Sequence, residues 1–156
     1  MSENNILVQA NHVRKWFPIK KWIFEKQRYV KAVDDVSLTL YRGETLGIVG
    51  ESGCGKSTLA RTLLRLIEPT DGEIIYDGKD LRAMKGNELR SLRKHMQIVF
   101  QDPYSSLHPR MKIGQIIAEP MLISGIYKTK AECMPRIYEL LDMVGLDRTY
   151  VERYSP

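Results

Sequence analysis

The sequence predicts an α/β fold, and three observations carry the prediction. Residues 45–49 read as a strand apolar on both faces, as a strand in a buried parallel sheet is. They run into the glycine-rich stretch "IVGESGCGKSTLA" (48–60), after which Leu59, Leu63, Leu66 and Ile67 recur on one helical face. A second run of the buried-strand type, "MQIVFQ", follows at 96–101. A strand, a glycine loop, a helix and a second strand in that order are the start of a doubly covered sheet.

The remaining elements follow from local pattern. Residues 5–17 read as a strand containing Ile6, Val8 and Val13, and residues 30–40, "VKAVDDVSLTL", alternate as a second. Between them "PIKKWIFEKQRY" (18–29) breaks the pattern with Pro18 and mixes lysines with Trp22, Ile23 and Phe24, so it reads as a hairpin insertion with an apolar tip. "EPTDGE" stops the first helix, and "EIIYDGKDL" is a short strand closed by the Asp77-Gly78 turn signal. Residues 86–95 read as a short basic helix, and "DPYSSLHPRM" (102–111) as a loop. "IGQIIAEPMLIS" carries a helix bent or ended before Pro120. Thr129 and Glu132 fit a capping box, followed by a stripe of Ile137, Leu141 and Val144 that stops at Gly145.

Composition narrows the class. With 156 residues, 43% hydrophobic and 28% charged, the chain has the make-up of a folded globular protein. No apolar run is long enough to span a bilayer. The polar start "MSENNILVQANHV" lacks the apolar core of a secretory signal. Cys54 and Cys133 form neither metal spacing nor a disulfide framework, which fits a reducing compartment. The net charge of +5 suits nucleotides, nucleic acid or an anionic membrane face without choosing among them. Residues 1–42 hold eight Lys/Arg against four Asp/Glu, so the excess is concentrated early.

The glycine loop holds the chemistry. Gly50-x-x-x-x-Gly55-Lys56-Ser57 is the Walker A pattern. Gly50, Gly53 and Gly55 allow backbone angles closed to other residues, so the N–H groups of Glu51, Ser52, Cys54 and their neighbours can turn inward as an anion nest. The helix opening at Lys56 aims its dipole and free N–H groups at the same point. Lys56 adds a full positive charge between β- and γ-phosphates, and the Ser57 hydroxyl is a hard ligand suited to Mg²⁺. Cys54 reads as a small loop-filling residue, with a reactive thiol as the alternative. His12 and His95 have no carboxylate or thiol at ligand spacing, and Asp34-Asp35 reads as strand-edge charge.

The stretch "VDDVSLTLYRGETLGIVGESGCGKSTLARTLLRLIEPTDGEIIYDGKDL" resembles the ATP-binding subunits of ABC transporters, and "IVFQDPYSSLHPRMKIGQIIAEP" with the 18–29 insertion is similar to their dipeptide/oligopeptide importer group, which includes nickel and glutathione importers. The resemblance covers essentially the whole chain; His108 departs from it, standing where the group is expected to carry Asn. It implies a P-loop NTPase core with an N-terminal antiparallel β-meander over 1–103 and the start of a helical subdomain over 104–156. It implies ATP and Mg²⁺ as ligands, with Thr58 at the α-phosphate and Gln101 as the Q-loop glutamine reaching Mg²⁺ beside Ser57. An aromatic stacks on adenine in this family; Phe17 fits best because it follows "VRK", with Trp16 and Tyr29 as competitors. Transmembrane permease subunits and a second ATP-binding subunit are the implied partners, with the 103–111 loop facing the permease. No nucleic-acid role is implied, and the implied location is the cytoplasmic face of the membrane. The tip Trp22-Ile23-Phe24 either touches a membrane surface or packs on its own domain or the permease.

The family's Walker B run, catalytic glutamate, switch histidine and Ser-Gly-Gly-Gln signature do not occur in these residues; "LISGIY" (122–127) lacks the second glycine and the glutamine. The expectation is therefore the N-terminal half of the ATPase domain, marginally stable and aggregation-prone alone, binding Mg-ATP weakly without turnover. The alternatives are a non-catalytic nucleotide-binding remnant and an ABC-type ATPase unconnected with transport.

Overall fold

The computed structural model describes residues 5–20, 22, 26–102 and 107–155. They fall into two compact units, one ending at Met96 and one beginning at Gln97.

In the first unit, β1 (Ile6–Pro18), β2 (Tyr29–Tyr41), β3 (Asp71–Tyr76) and β4 (Lys79–Asp80) form one antiparallel sheet in the order β2-β1-β3-β4. This is the expected meander, closed by the expected turn: Asp77 and Gly78 both take positive φ, 49° and 75°, as a two-residue hairpin with the right-handed strand twist requires. The sheet has a feature that period-2 alternation does not anticipate. Ala10 and Val13 are both buried, although residues three apart in a regular strand face opposite sides. Register shifts between Ala10 and Val13 reconcile the two, with His12 in the left-handed region at φ 50°. On β2, Asp35 makes the matching excursion at φ 63°, and Val33 and Val36 both reach the core as a result.

Helix α1 (Lys56–Leu63) lays Leu59 on that core with Val33, Ile74 and Leu81. It is shorter than the expected 56–67, because Arg65 leaves it at φ 49° and Leu66 is exposed. Thr62 is fully buried, and its Oγ1 donates to the Thr58 carbonyl at 2.7 Å, so the hydroxyl is satisfied. Helix α2 (Gly86–Leu92) opens with the Lys85 N–H donating to Glu88 Oε2 at 2.9 Å.

Residues 45–49 and 96–101, expected as buried parallel strands, are not strands in the structure. Val49 is 93% exposed and Val99 92% exposed. The reason is physical: a parallel strand exists only with a neighbour to share its ladder, and no described strand pairs with either run.

In the second unit, α3 (Ile113–Ile123) and α4 (Lys130–Met143) pack with a 3₁₀ turn, Arg148–Glu152, around Ala118, Cys133, Ile137, Leu141 and Val151. Helix α3 runs through Pro120 instead of ending there. Pro120 forfeits one hydrogen bond, to the Ile116 carbonyl, and the burial of Ala118 with Met121 and Leu122 against the cluster offsets that loss. The α4 cap is split: Thr129 Oγ1 accepts from the Glu132 N–H at 3.3 Å, while Glu132 accepts from the Lys128 N–H at 3.0 Å. The stripe on α4 is Cys133, Ile137 and Leu141; Val144 is 69% exposed, because the helix has ended and Gly145 turns the chain at φ 72°.

Candidate nucleotide site

The Walker A residues form an exposed loop that feeds α1. Gly53 and Gly55 take φ 82° and 101°, and Gly55 is the N-cap of α1 with no side chain to cap it. The Leu59 N–H donates to the Gly55 carbonyl at 2.8 Å, so the helix is wound from its first residue. The N–H groups of the first turn, Lys56, Ser57 and Thr58, therefore have no partner within the helix and point out of its N-terminus.

Gly55 is needed for a second reason. A Cβ there would lie 2.1 Å from the Ala32 carbonyl oxygen, so the loop is seated against β2 at backbone distance. Across the β1–β2 ladder from that point stand Lys15 to Phe17, with Lys15 opposite Val33 and Trp16 opposite Lys31. The fold thus brings the Walker A loop and the candidate aromatics to the same end of the sheet.

Lys56 is folded into the loop. Its Nζ donates to the carbonyls of Gly50 at 2.7 Å and Glu51 at 2.6 Å, with Cys54 Sγ at 3.5 Å. The ammonium is held across the mouth of the glycine turn. Ser57, the second residue of α1, is exposed. Cys54 closes the turn by donating its N–H to the Glu51 carbonyl at 3.3 Å, and its sulfur lies where a Cβ on Gly50 would come within 2.9 Å. That is a packing role, as a small loop-filling residue has.

The three aromatics differ in how far they are committed. Trp16 Nε1 donates to Asp34 Oδ1 at 3.1 Å, Lys31 Nζ sits 4.7 Å over its ring, and Tyr29 lies 6.2 Å away. Lys31 also donates to Asp34, and this bond, with the indole N–H, holds the Asp34 carboxyl below its usual range. Phe17 is 38% exposed, with Lys15 Nζ over its ring at 4.9 Å. Gln101 belongs to the second unit, where it is exposed at a bend after the 96–100 run. Of the loop expected to face a permease, residues 103–106 lie outside the described residues.

Sequence reasoning missed one cluster. His12 Nδ1 and Asp35 Oδ1 are 2.8 Å apart, and Arg14 reaches Asp35 at 3.5 Å and Asp71 at 3.3 Å. The partners are 23 residues apart in sequence, and only the bulged register brings them together. The groove beside the β3–β4 turn, about 770 Å³, lies away from Walker A. Its walls carry both signs, Arg42 and Lys79 beside Asp77, Asp80 and Glu88, and Arg42 is already bonded to Asp77. It is not a site for a polyanion.

The sequence profile of the ABC transporter family matches residues 33–155. The oligopeptide transport ATP-binding protein OppF of Bacillus subtilis is 52% identical over 149 residues, covering 95% of this chain and 47% of that protein. The dipeptide transport ATP-binding protein DppF of Haemophilus influenzae is 44% identical over 154 residues, covering 99% of this chain and 47% of its own length. The chain thus spans about half the length of the curated relatives it matches. Among solved structures, a dimeric bacterial ABC transporter cassette, MJ0796, superposes with a TM-score of 0.73 at 26% identity, over 95% of this chain and 61% of that one. MJ0796 in a post-hydrolysis state bound to ADP and Pi superposes at 0.75 with 24% identity, a likeness of fold. The glycine loop seated on β2, the helix that opens at its lysine and a profile match covering both place the chain in the ABC transporter family.

Proposed function

We propose that the protein is the ATP-binding, energy-coupling subunit of an importer of peptides or similar small solutes, with ABC-type ATPase activity. The observation that supports this best is the Lys56 ammonium set across a glycine turn whose far end caps α1. Backbone N–H groups of residues 51–58 would receive the phosphates, Lys56 would turn from the Gly50 and Glu51 carbonyls to the β- and γ-phosphates, and Thr58 would meet the α-phosphate. Phe17, less committed than Trp16, would stack on adenine.

Mg²⁺ suits the exposed Ser57 hydroxyl, which would hold it, and the family resemblance gives the Gln101 amide oxygen as a second ligand. When bound, such an ion neutralises charge between phosphate oxygens. Permease subunits and a second ATP-binding subunit complete the proposed assembly, with residues 104–156 contributing to the unit that grips the permease and Gln101 linking that unit to the nucleotide. Among the described residues no helix is long and apolar enough to cross a membrane. The proposed location is the cytoplasmic face, by docking.

Ser57→Ala tests the metal part. Titrated with ATP in EDTA, the variant should match the parent protein; with Mg²⁺ added, the parent should tighten and the variant should gain about tenfold less, the worth of one hydrogen bond or ligand to a charged group. Equal tightening in both would remove Ser57 from the metal. Membrane fractions provide the second test: the protein should sediment with them and be released at high pH without detergent. A fully soluble protein in cells that also hold its permease would overturn the transport reading.

A further inference from the structure

The β1–β2 hairpin runs beyond the sheet it starts from, and its outer end is chemically unlike the rest of the chain. Between Lys15 and Lys31 the sequence holds six Lys/Arg and one acid, Glu25, so this hairpin's net charge equals the +5 of the whole chain. Its base is fixed. Pro18 pairs with Tyr29, the Ile19 N–H donates to the Arg28 carbonyl at 2.9 Å, and Gln27 Nε2 donates to the carbonyls of Ile19 at 2.8 Å and Arg28 at 3.0 Å. Beyond that base Trp22 is 82% exposed; at the base Ile19 and Tyr29 are exposed, as is Val30, which pairs with Phe17. Lys31 is paired with Asp34; Lys15, Lys20, Lys26 and Arg28 make no ion pair among the described residues.

We infer that this hairpin docks directly on an anionic lipid surface. An exposed indole in a lysine-rich stretch is the side chain that settles at headgroup depth, apolar body inward and N–H outward. Lysine and arginine stems can lie along the apolar layer while their charges meet lipid phosphates. A basic, aromatic tip also fits single-stranded nucleic acid. The exposed aliphatics Ile19 and Val30 decide between the two, since they gain by entering the acyl boundary and nothing by facing stacked bases. The hairpin would then add a lipid contact of its own to docking through a permease. The inference goes beyond nucleotide binding and does not depend on it.

The purified full-length protein, free of permease, would be sedimented with vesicles of phosphatidylcholine alone or mixed with phosphatidylglycerol. Binding should require phosphatidylglycerol and weaken from low to physiological salt. Trp22→Ala, and separately Lys20→Glu with Lys26→Glu, should each weaken it about tenfold, with unfolding midpoint and ATP affinity unchanged, because all three residues are exposed. Three results would each overturn the proposal: equal binding to neutral vesicles; parental binding by both variants; or a defect in the variants seen only when permease is present in the vesicles. A single-stranded oligonucleotide that binds the parent more tightly than the anionic vesicles and loses the same factor in the variants would assign the tip to nucleic acid instead.

Discussion

Lys56→Ala should weaken ATP binding by about 10- to 100-fold, the worth of a hydrogen bond to a charged group in a partly screened site, and should abolish any ATPase activity of the intact protein. The site's own geometry predicts more than loss of one charge. Lys56 Nζ ties the start of α1 back to the Gly50 and Glu51 carbonyls at the start of the loop, so the alanine chain loses both the cation and the clasp of the nest. Lys56→Arg should not rescue it. A planar guanidinium is longer and bulkier than an ammonium, and the loop closes on the compact Lys56 Nζ at 2.6–2.7 Å. Binding is read by titration calorimetry with Mg-ATP, and folding by the thermal midpoint, which should hold because Lys56 lies outside the core. Undiminished affinity in Lys56→Ala would remove Walker A as the nucleotide site.

Gly72→Ala should destabilise the first unit by about 3 kcal/mol or more, enough to lower its thermal midpoint by about 12–24 °C. Gly72 lies on β3 at φ 92°, and a Cβ there would fall 2.4 Å from the His12 carbonyl oxygen and 2.5 Å from Val13 Cα. Both are backbone atoms of the β1 bulge, so no side chain can swing aside. The comparison is Gly78→Ala, at φ 75° with nothing within 4 Å of the added carbon. That change should cost only the left-handed conformation, about 1 kcal/mol. If the two variants melt together, the bulge does not press on Gly72 as the structure shows. Calorimetric unfolding of both proteins distinguishes the outcomes.

These two positions also show what the sequence makes legible. Walker A was readable because each of its residues has a local job: glycine for positive φ, lysine for charge, a helix to follow. The Asp77-Gly78 hairpin was readable for the same reason. Gly72, by contrast, looked like part of a helix stop, and its role depends on a bulge in a strand 60 residues earlier. His12 and Asp35 were invisible as a pair because strand alternation predicts a regular ladder, and the register slips that join them follow from packing Ala10 and Val13 on one side. The runs at 45–49 and 96–101 have the composition of buried strands, but composition cannot supply a neighbour. Pro120 was read by its local penalty, one lost hydrogen bond, which packing around Ala118 outweighs. Phe17 and Gln101 had no local signature at all and came only from resemblance.

The paired excursions at His12 and Asp35 also act on the sheet as a whole. β2 is 13 residues long and stands at the sheet margin, with β1 on one side and no described strand on the other. A long, flat margin is a template on which foreign chains polymerise. Asp35 at φ 63° turns the backbone out of line midway, leaving no continuous row of donors and acceptors, and its charge, with that of Lys31 and Asp34, sits along the same stretch. The irregularity that fills the core on one face thus also keeps the strand from recruiting copies of itself.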